Sequence, residues 1–197
     1  GPAQASRRTG STNRLFSRFS RSYARSFRKR GLDPEQRLLA DGVRAALNSP
    51  AANHHSHEDA PQLLDIGCGV GALHFELMAD LPAASARGID IADGMLSEAR
   101  RFADERGVGS RTEYTEGDFV ELAGQIAPAD ITLLDKVVCC YENVDELVRL
   151  STDRTRQIYA VSRPRDVWYM RLIFQTQAAL MRLFRFAFYP CWHSWSE

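Results

Sequence analysis

The chain has 197 residues, 44% hydrophobic and 25% charged, with 25 basic and 25 acidic side chains in balance. That suits one α/β domain with its own core and is too short for a second full domain. No apolar run approaches the 18 or so residues that span a bilayer, and no compact apolar core follows the basic N-terminus as in a signal peptide, so a cytoplasmic protein is expected.

The neutral total conceals an asymmetry. Residues 1 to 32 carry eight Arg and one Lys and no acid, leaving 16 bases against 25 acids afterwards. Gly1-Pro2, without an initiating Met, reads as a protease-cleavage scar. At about 100° per residue, Arg14, Arg18, Arg21, Arg25 and Arg28 share one stripe and Phe16, Phe19, Tyr23 and Phe27 lie opposite. This predicts an amphipathic helix that packs its aromatic side on the core. Its basic face offers itself to an acidic partner, a phosphate or a membrane surface.

Asp33-Pro34-Glu35-Gln36 is a helix start, with Asp as cap, Pro in the first turn and acid at the positive end of the dipole. Leu38, Leu39, Val43, Ala46 and Leu47 continue one face until Asn48-Ser49-Pro50 stops it. Residues 1 to 50 are thus expected as an N-terminal cap or lid, 51 to 61 as a linker and 62 to 197 as the core. His54-His55-x-His57 sits in the polar linker with nothing to fix its geometry, so no metal site is expected there. Cys68, Cys139, Cys140 and Cys191 lack disulfide-framework spacing and read as reduced thiols.

The stretch that organises the core is Leu63 to Leu73. An apolar run, Leu63 to Ile66, breaks into Gly67, Gly69 and Gly71, then into Leu73, Leu77 and Met78 at helical spacing. That is strand, tight turn, helix. Ala86 to Ile91 reads as a second strand, followed by a helix from about Met95 to Arg106; Thr112 to Thr115 is a third strand, ending at Gly117-Asp118-Phe119. Ile131 to Asp135 is a buried strand of the parallel type. Val144 to Leu150 is helical, Gln157 to Val161 is a fifth strand closed by Ser162-Arg163-Pro164, and Trp168 to Phe184 is a helix nearly apolar all round. The alternation predicts a doubly wound parallel sheet, with ligands beyond the carboxyl ends of the strands.

Gly67-x-Gly69-x-x-Ala72 with Asp90 downstream satisfies the dinucleotide fingerprint, which keeps an NAD-dependent oxidoreductase open. Asp65-x-Gly67-x-Gly69-x-Gly71, however, resembles motif I of the class I S-adenosylmethionine-dependent methyltransferases. That resemblance, over roughly Leu63 to Pro164, implies a Rossmann-like class I fold and S-adenosylmethionine as cofactor, with S-adenosylhomocysteine as product. It assigns Asp65, Gly67, Cys68 and Gly69 to the cofactor turn, Asp90 and Ile91 to the ribose, and Gly117, Asp118 and Phe119 to the adenine. A helix laid over the cofactor would make Tyr23 and Arg30 candidates too.

Methyl transfer from a sulfonium is an in-line displacement in which the protein positions and desolvates. Where the acceptor holds a proton, Asp135 or Tyr141, beyond the fourth strand, are the candidate catalytic bases. Asp135 to Tyr141 with Ser162 to Arg165 looks like a small-molecule branch, similar in part to the magnesium-protoporphyrin methyltransferases. A small-molecule acceptor is therefore expected over nucleic acid, for which only the basic arm speaks. The family's sheet ends in sixth and seventh strands, and here only Phe186 to Trp192 could serve as one, so the last strands are expected to be missing or incomplete. A second copy or a partner chain is then expected to cover that edge. A cofactor-binding subunit that needs such a partner for activity is the alternative outside enzymes.

Overall fold

The computed structural model describes residues 2–49, 60–139, 141, 143–163 and 176. Two N-terminal helices, α1 (Pro2–Arg30) and α2 (Pro34–Leu47), precede β1 (Gln62–Ile66). Then follow α3 (Ala72–Asp80), β2 (Ser85–Asp90), α4 (Asp93–Glu105), β3 (Thr112–Glu116), α5 (Phe119–Leu122), β4 (Ala129–Leu134), α6 (Val144–Asp153) and β5 (Thr155–Val161). The five strands form one sheet in the order β3-β2-β1-β4-β5, every neighbouring pair parallel. The order reverses at β1, whose carboxyl end is the switch point where such sheets bind ligands.

β1 is central because it can be buried on both faces. Leu63 and Asp65 turn toward the layer of α1 to α4, while Leu64 and Ile66 turn toward α5 and α6, following the two-residue period of a strand. The first layer closes over Leu73, Leu77, Met95, Phe102, Ile131 and Leu133; the second packs Ile89, Phe119, Leu134, Val144 and Leu147. Each fully buried Leu or Ile contributes about 1.5–3 kcal/mol by leaving water, so the continuous apolar strands stabilise the parallel arrangement.

At α2 the local signals act as anticipated. Asp33 accepts from the Gln36 N–H at 2.9 Å, and the Gln36 side chain accepts from the Asp33 N–H at 3.3 Å, a reciprocal capping box. The five strands predicted between Leu63 and Val161 are present, with β4 ending at Leu134 so that Asp135 stands just beyond it. The helix after β2 begins at Asp93, and the one after β4 runs on to Asp153.

The expected face of α1 needs correcting. Ser20, Ala24 and Phe27 are buried and Phe16 packs beside them, whereas Phe19 and Tyr23 are 49% and 54% exposed. The reason is the crossing with α4. The Gly94 N–H donates to Ser17 Oγ at 3.0 Å, and a Cβ on Gly94 would come within 2.7 Å of Ser17 Cβ. So close an approach requires small residues along the contact line, and the small side chains, not the full aromatic row, decide which way the helix turns. Phe27 stacks edge-on against Phe102 at 5.2 Å, with the Arg106 guanidinium 4.8 Å over the Phe27 ring.

Among the described residues, no helix is long and apolar enough to cross a membrane, and no cluster of three potential metal ligands occurs. The expectations for His54 to His57, Cys140, the helix from Trp168 to Phe184, the strand from Phe186 to Trp192 and Cys191 lie outside the described residues.

Candidate cofactor and acceptor site

Four segments meet at the carboxyl ends of β1 to β4. The first is the turn Gly67 to Gly71. Gly67, Gly69 and Gly71 have φ of 68°, 55° and 83°, left-handed values that side chains resist, so the turn is possible only with glycine at alternate places. Gly67 and Gly71 also carry steric demands, because a Cβ on Gly67 would run into Val137 and one on Gly71 into Phe75 and His74. Gly69 is different, with nothing within 4 Å of where its Cβ would be. Bare backbone facing open space at a switch point is what a nucleotide cofactor needs for close approach.

The second segment follows β2. One Asp90 oxygen accepts from the Gly69 N–H and the other from the Ala92 N–H, both at 2.8 Å. This carboxylate therefore stitches the glycine turn to the start of α4. Burial pushes the Asp90 carboxyl above the usual carboxylate range, the two N–H donors pull it back, and Asp65 adds to the rise. Ile91 beside it is half-buried.

After β3, the Gly117 N–H bonds Asp90 O at 3.0 Å, linking the second and third segments. Asp118 caps α5 by accepting from Val120 N at 2.9 Å, and Tyr141 Oη donates to its two carboxylate oxygens at 2.8 and 3.0 Å. Phe119, expected beside an adenine ring, turns into the core and is buried among the residues under α5 and α6. Burial first, and the Asp118 charge second, drive the Tyr141 phenol well above its ordinary value. In this arrangement Tyr141 is a donor, poorly suited to remove a proton.

Beyond β4 a closed ring of contacts joins the start of α2 to the ends of β4 and β5. Asp135 accepts from Ser162 Oγ at 2.7 Å and from Gln36 Nε2 at 2.9 Å, so both of its oxygens are engaged. The Lys136 N–H donates to Ser162 Oγ at 2.8 Å, and its ammonium pairs with Asp33. Burial works against both charges of that pair, yet Asp33 lies below and Lys136 above its ordinary value because each faces the other. Lys136 is the one described non-glycine residue at positive φ, 58°, and the ring holds it there. Geometry thus makes Asp135 an anchor of this loop.

Asp65 and Cys68 lie below the turn. Asp65 is 2% exposed and bonds His74 Nδ1 at 2.8 Å. Burial raises its pKa, an effect the His74 hydrogen bonds oppose and the Asp135 charge reinforces. Cys68 is buried, its thiol pushed far up by desolvation and by the Asp65 and Asp90 charges, so it has no nucleophilic character. Tyr23 is 54% exposed on α1, and the Arg30 guanidinium bonds Ser26 on its own helix.

Residues 63–164, just over half the chain, match the model of the methyltransferase domain family. The chain belongs to the S-adenosylmethionine-dependent methyltransferase family. Membership sets aside the dinucleotide fingerprint shared by Gly67, Gly69 and Ala72. Release factor glutamine methyltransferase of Chlorobaculum tepidum is 34% identical over 85 residues, which cover 43% of this chain and 28% of that protein. Methyltransferase ungE' of Aspergillus campestris is 39% identical over 61 residues, 31% of this chain and 18% of that protein. The matched part thus spans less than a third of the length of these curated relatives. The magnesium protoporphyrin IX methyltransferase of Synechocystis, solved with bound S-adenosylhomocysteine, superposes with a TM-score of 0.58 at 19% identity, over 82% of this chain and 76% of that one. An O-methyltransferase family 2 protein of Planctomyces limnophilus in complex with apigenin gives 0.54 at 24% identity, over 70% and 40%. At these identities the likeness is one of fold.

Sequence reasoning missed several participants in this methyltransferase fold. His74 and Tyr114 looked like ordinary helix and strand positions, and Gln36 like a cap alone. A polar His on the first buried turn of α3, between Leu73 and Phe75, was the available signal for the first; Gln36 gave none, since its second partner is 99 residues away.

Proposed function

We propose that this protein transfers the methyl group of S-adenosylmethionine to a small-molecule acceptor. The observation that carries the reading is the Gly67 to Gly71 turn at the switch point, with Gly69 open to space and its N–H gripped by Asp90. When bound, the cofactor supplies an electrophilic methyl on a sulfonium, so no activation of the leaving group is asked of the protein. Asp65 and Gly67 to Gly71 shape the turn, Asp90 and Ile91 take the ribose side, and Gly117, Asp118 and Phe119 take the adenine side, Asp118 as acceptor and Phe119 as packing beneath. The carboxylates of Asp90 and Asp118 have spare lone pairs beyond the protein donors they accept, and hydroxyl and amino donors of a nucleoside fit them.

The acceptor then enters over the loop from Asp135 to Tyr141. Asp135 acts through its hold on Ser162 and Gln36, and Tyr141 by directing the Asp118 carboxylate; the partly buried Val137 provides apolar wall. Small molecules are favoured over nucleic acid by charge. The rim carries Asp90, Glu116, Asp118 and Asp135, while the loop's Lys136 is paired with Asp33, a field that repels a phosphate backbone. Self-association or a partner chain at the β5 side, where Val161 remains 37% exposed, belongs to the same reading and is checked by light scattering after gel filtration.

Calorimetric titration with S-adenosylhomocysteine, S-adenosylmethionine and NAD tests the cofactor, and a metabolite panel with methyl-labelled cofactor tests the acceptor. Saturable binding of S-adenosylhomocysteine and label transfer to a small molecule are expected. NAD binding with no response to S-adenosylhomocysteine, or label entering only nucleic acid, would overturn the reading.

A further inference from the structure

Beneath the glycine turn runs a polar chain of which only Asp65 has a role above. His74, on the first turn of α3, has no exposed surface; its Nδ1 bonds Asp65 at 2.8 Å and its Nε2 meets Tyr114 Oη at 3.0 Å. The chain therefore crosses from β1 through α3 to β3. Two glycines make room for it. A Cβ on Gly71 would sit 2.7 Å from His74 Cε1, and one on Gly88 would sit 2.8 Å from Tyr114 Cδ1. Buried polar groups of this kind could be replaced by apolar side chains without the desolvation cost, so bulk alone does not account for them.

Its position in the chain is what matters. Asp65 stands two residues before Gly67 and His74 three residues after Gly71, so one hydrogen bond joins the two ends of the turn. The tautomer follows from the partners. The Asp65 carboxylate can only accept, which places the His74 proton on Nδ1 and leaves Nε2 to accept from the half-buried Tyr114 hydroxyl.

We infer that His74 is a positioning residue for the cofactor: as the Nδ1–H tautomer that the Asp65 carboxylate requires, held at Nε2 by Tyr114, it ties Asp65 to α3 and so sets the shape of the Gly67 to Gly71 turn. The inference rests on the reading that this turn holds S-adenosylmethionine. His74 touches no reacting atom and acts through Asp65 and the turn backbone.

The test uses the full chain and three variants. His74→Phe removes both polar contacts, His74→Asn keeps an N–H donor where Nδ1 stands, and Tyr114→Phe deletes a single oxygen. Calorimetry should find S-adenosylhomocysteine binding weakened about tenfold in His74→Phe and about threefold in Tyr114→Phe, with most of the affinity recovered in His74→Asn. Nitrogen NMR of histidine-labelled protein without cofactor should show the Nδ1–H tautomer in the parent and, because the Asp65 carboxylate still accepts from Nδ1, in Tyr114→Phe as well, with the Nε2 signal shifted by loss of its donor. A purely space-filling role would predict a lower Tm in His74→Phe with no rescue by Asn. The inference is overturned if all three variants bind within twofold of the parent, or if the parent carries Nε2–H. Should His74→Phe fail to fold, Tyr114→Phe and the tautomer decide alone. A parent that binds no S-adenosylhomocysteine would instead sink the cofactor reading, and the tautomer would still judge the relay.

Discussion

Gly69 and Gly71 lie two residues apart, both at left-handed φ, yet alanine should harm them in different ways. At Gly71 the new Cβ would lie 2.6 Å from Phe75 Cε2, 2.7 Å from His74 Cε1 and 2.8 Å from His74 Nε2, all buried ring atoms with nowhere to move. The left-handed backbone costs an alanine about 1–2 kcal/mol, and overpacking adds about 1–3 kcal/mol. Gly71→Ala is therefore expected to lose about 2–5 kcal/mol, or roughly 4–20 °C in Tm at 2–4 °C per kcal/mol for a chain of this size. At Gly69 only the backbone term applies, because the Cβ meets open space, so the loss should be about 1–2 kcal/mol and roughly 2–8 °C. Cofactor binding should reverse the order of severity. The Gly69 methyl would stand in the space kept for the cofactor, weakening S-adenosylhomocysteine at least about tenfold, or about 1.4 kcal/mol. Thermal melts with calorimetry on the folded proteins give both numbers. The reasoning fails if Gly69→Ala is the less stable of the two, or if it binds S-adenosylhomocysteine like the parent.

Further outcomes follow from the same contacts. Asp90→Asn puts an amide donor against one of two backbone N–H groups, and S-adenosylhomocysteine affinity should fall by about 1–3 kcal/mol; unchanged affinity in a titration would remove Asp90 from the site. Asp65 and Asp90 have folded pKa values above the ordinary 3.8, so the folded state holds protons that the unfolded chain releases. The stability these two groups contribute is full below pH 3.8 and declines as pH rises through their folded values. Asp65→Asn should flatten that decline in urea midpoints taken from pH 4 upward, and parallel profiles would contradict it. Tyr141→Phe should keep turnover on any acceptor within about tenfold, since general-base removal typically costs about 10²–10⁴-fold; a loss in that higher range would make Tyr141 the base. Gln36→Ala breaks the capping box and one Asp135 contact together, and should cost about 0.5–2 kcal/mol in chemical denaturation; no change would show the ring of contacts to be slack.

Alternating glycines after Leu63, Leu64 and Ile66 can form only a tight turn, and strand-length apolar runs between helical periods can bury themselves only in a parallel sheet. For that reason the order of elements, the turn from Gly67 to Gly71 and the placing of Asp90 and Asp118 at strand ends were all legible from local pattern. The face of α1 was not. Hydrophobicity pointed to Phe19 and Tyr23, but backbone proximity at Gly94 favoured Ser17, Ser20 and Ala24, a preference that exists only once α4 is opposite. Phe119 likewise stood at the expected loop, yet the space under α5 drew its ring inward.

What the sequence determined by itself are the properties carried by short stretches: the glycine turn, the caps, the strand periods and the separation of basic arm from acidic core. Tertiary structure alone decided the partners of each polar group. Asp135 reads as a free base until Gln36 and Ser162 arrive from 99 and 27 residues away. His74 reads as one more helical position until β1 and β3 enclose it between Asp65 and Tyr114. The physical reason is common to both: a turn or a strand is specified by the conformations its own residues allow, whereas the protonation and role of a buried polar side chain depend on which distant groups replace its water.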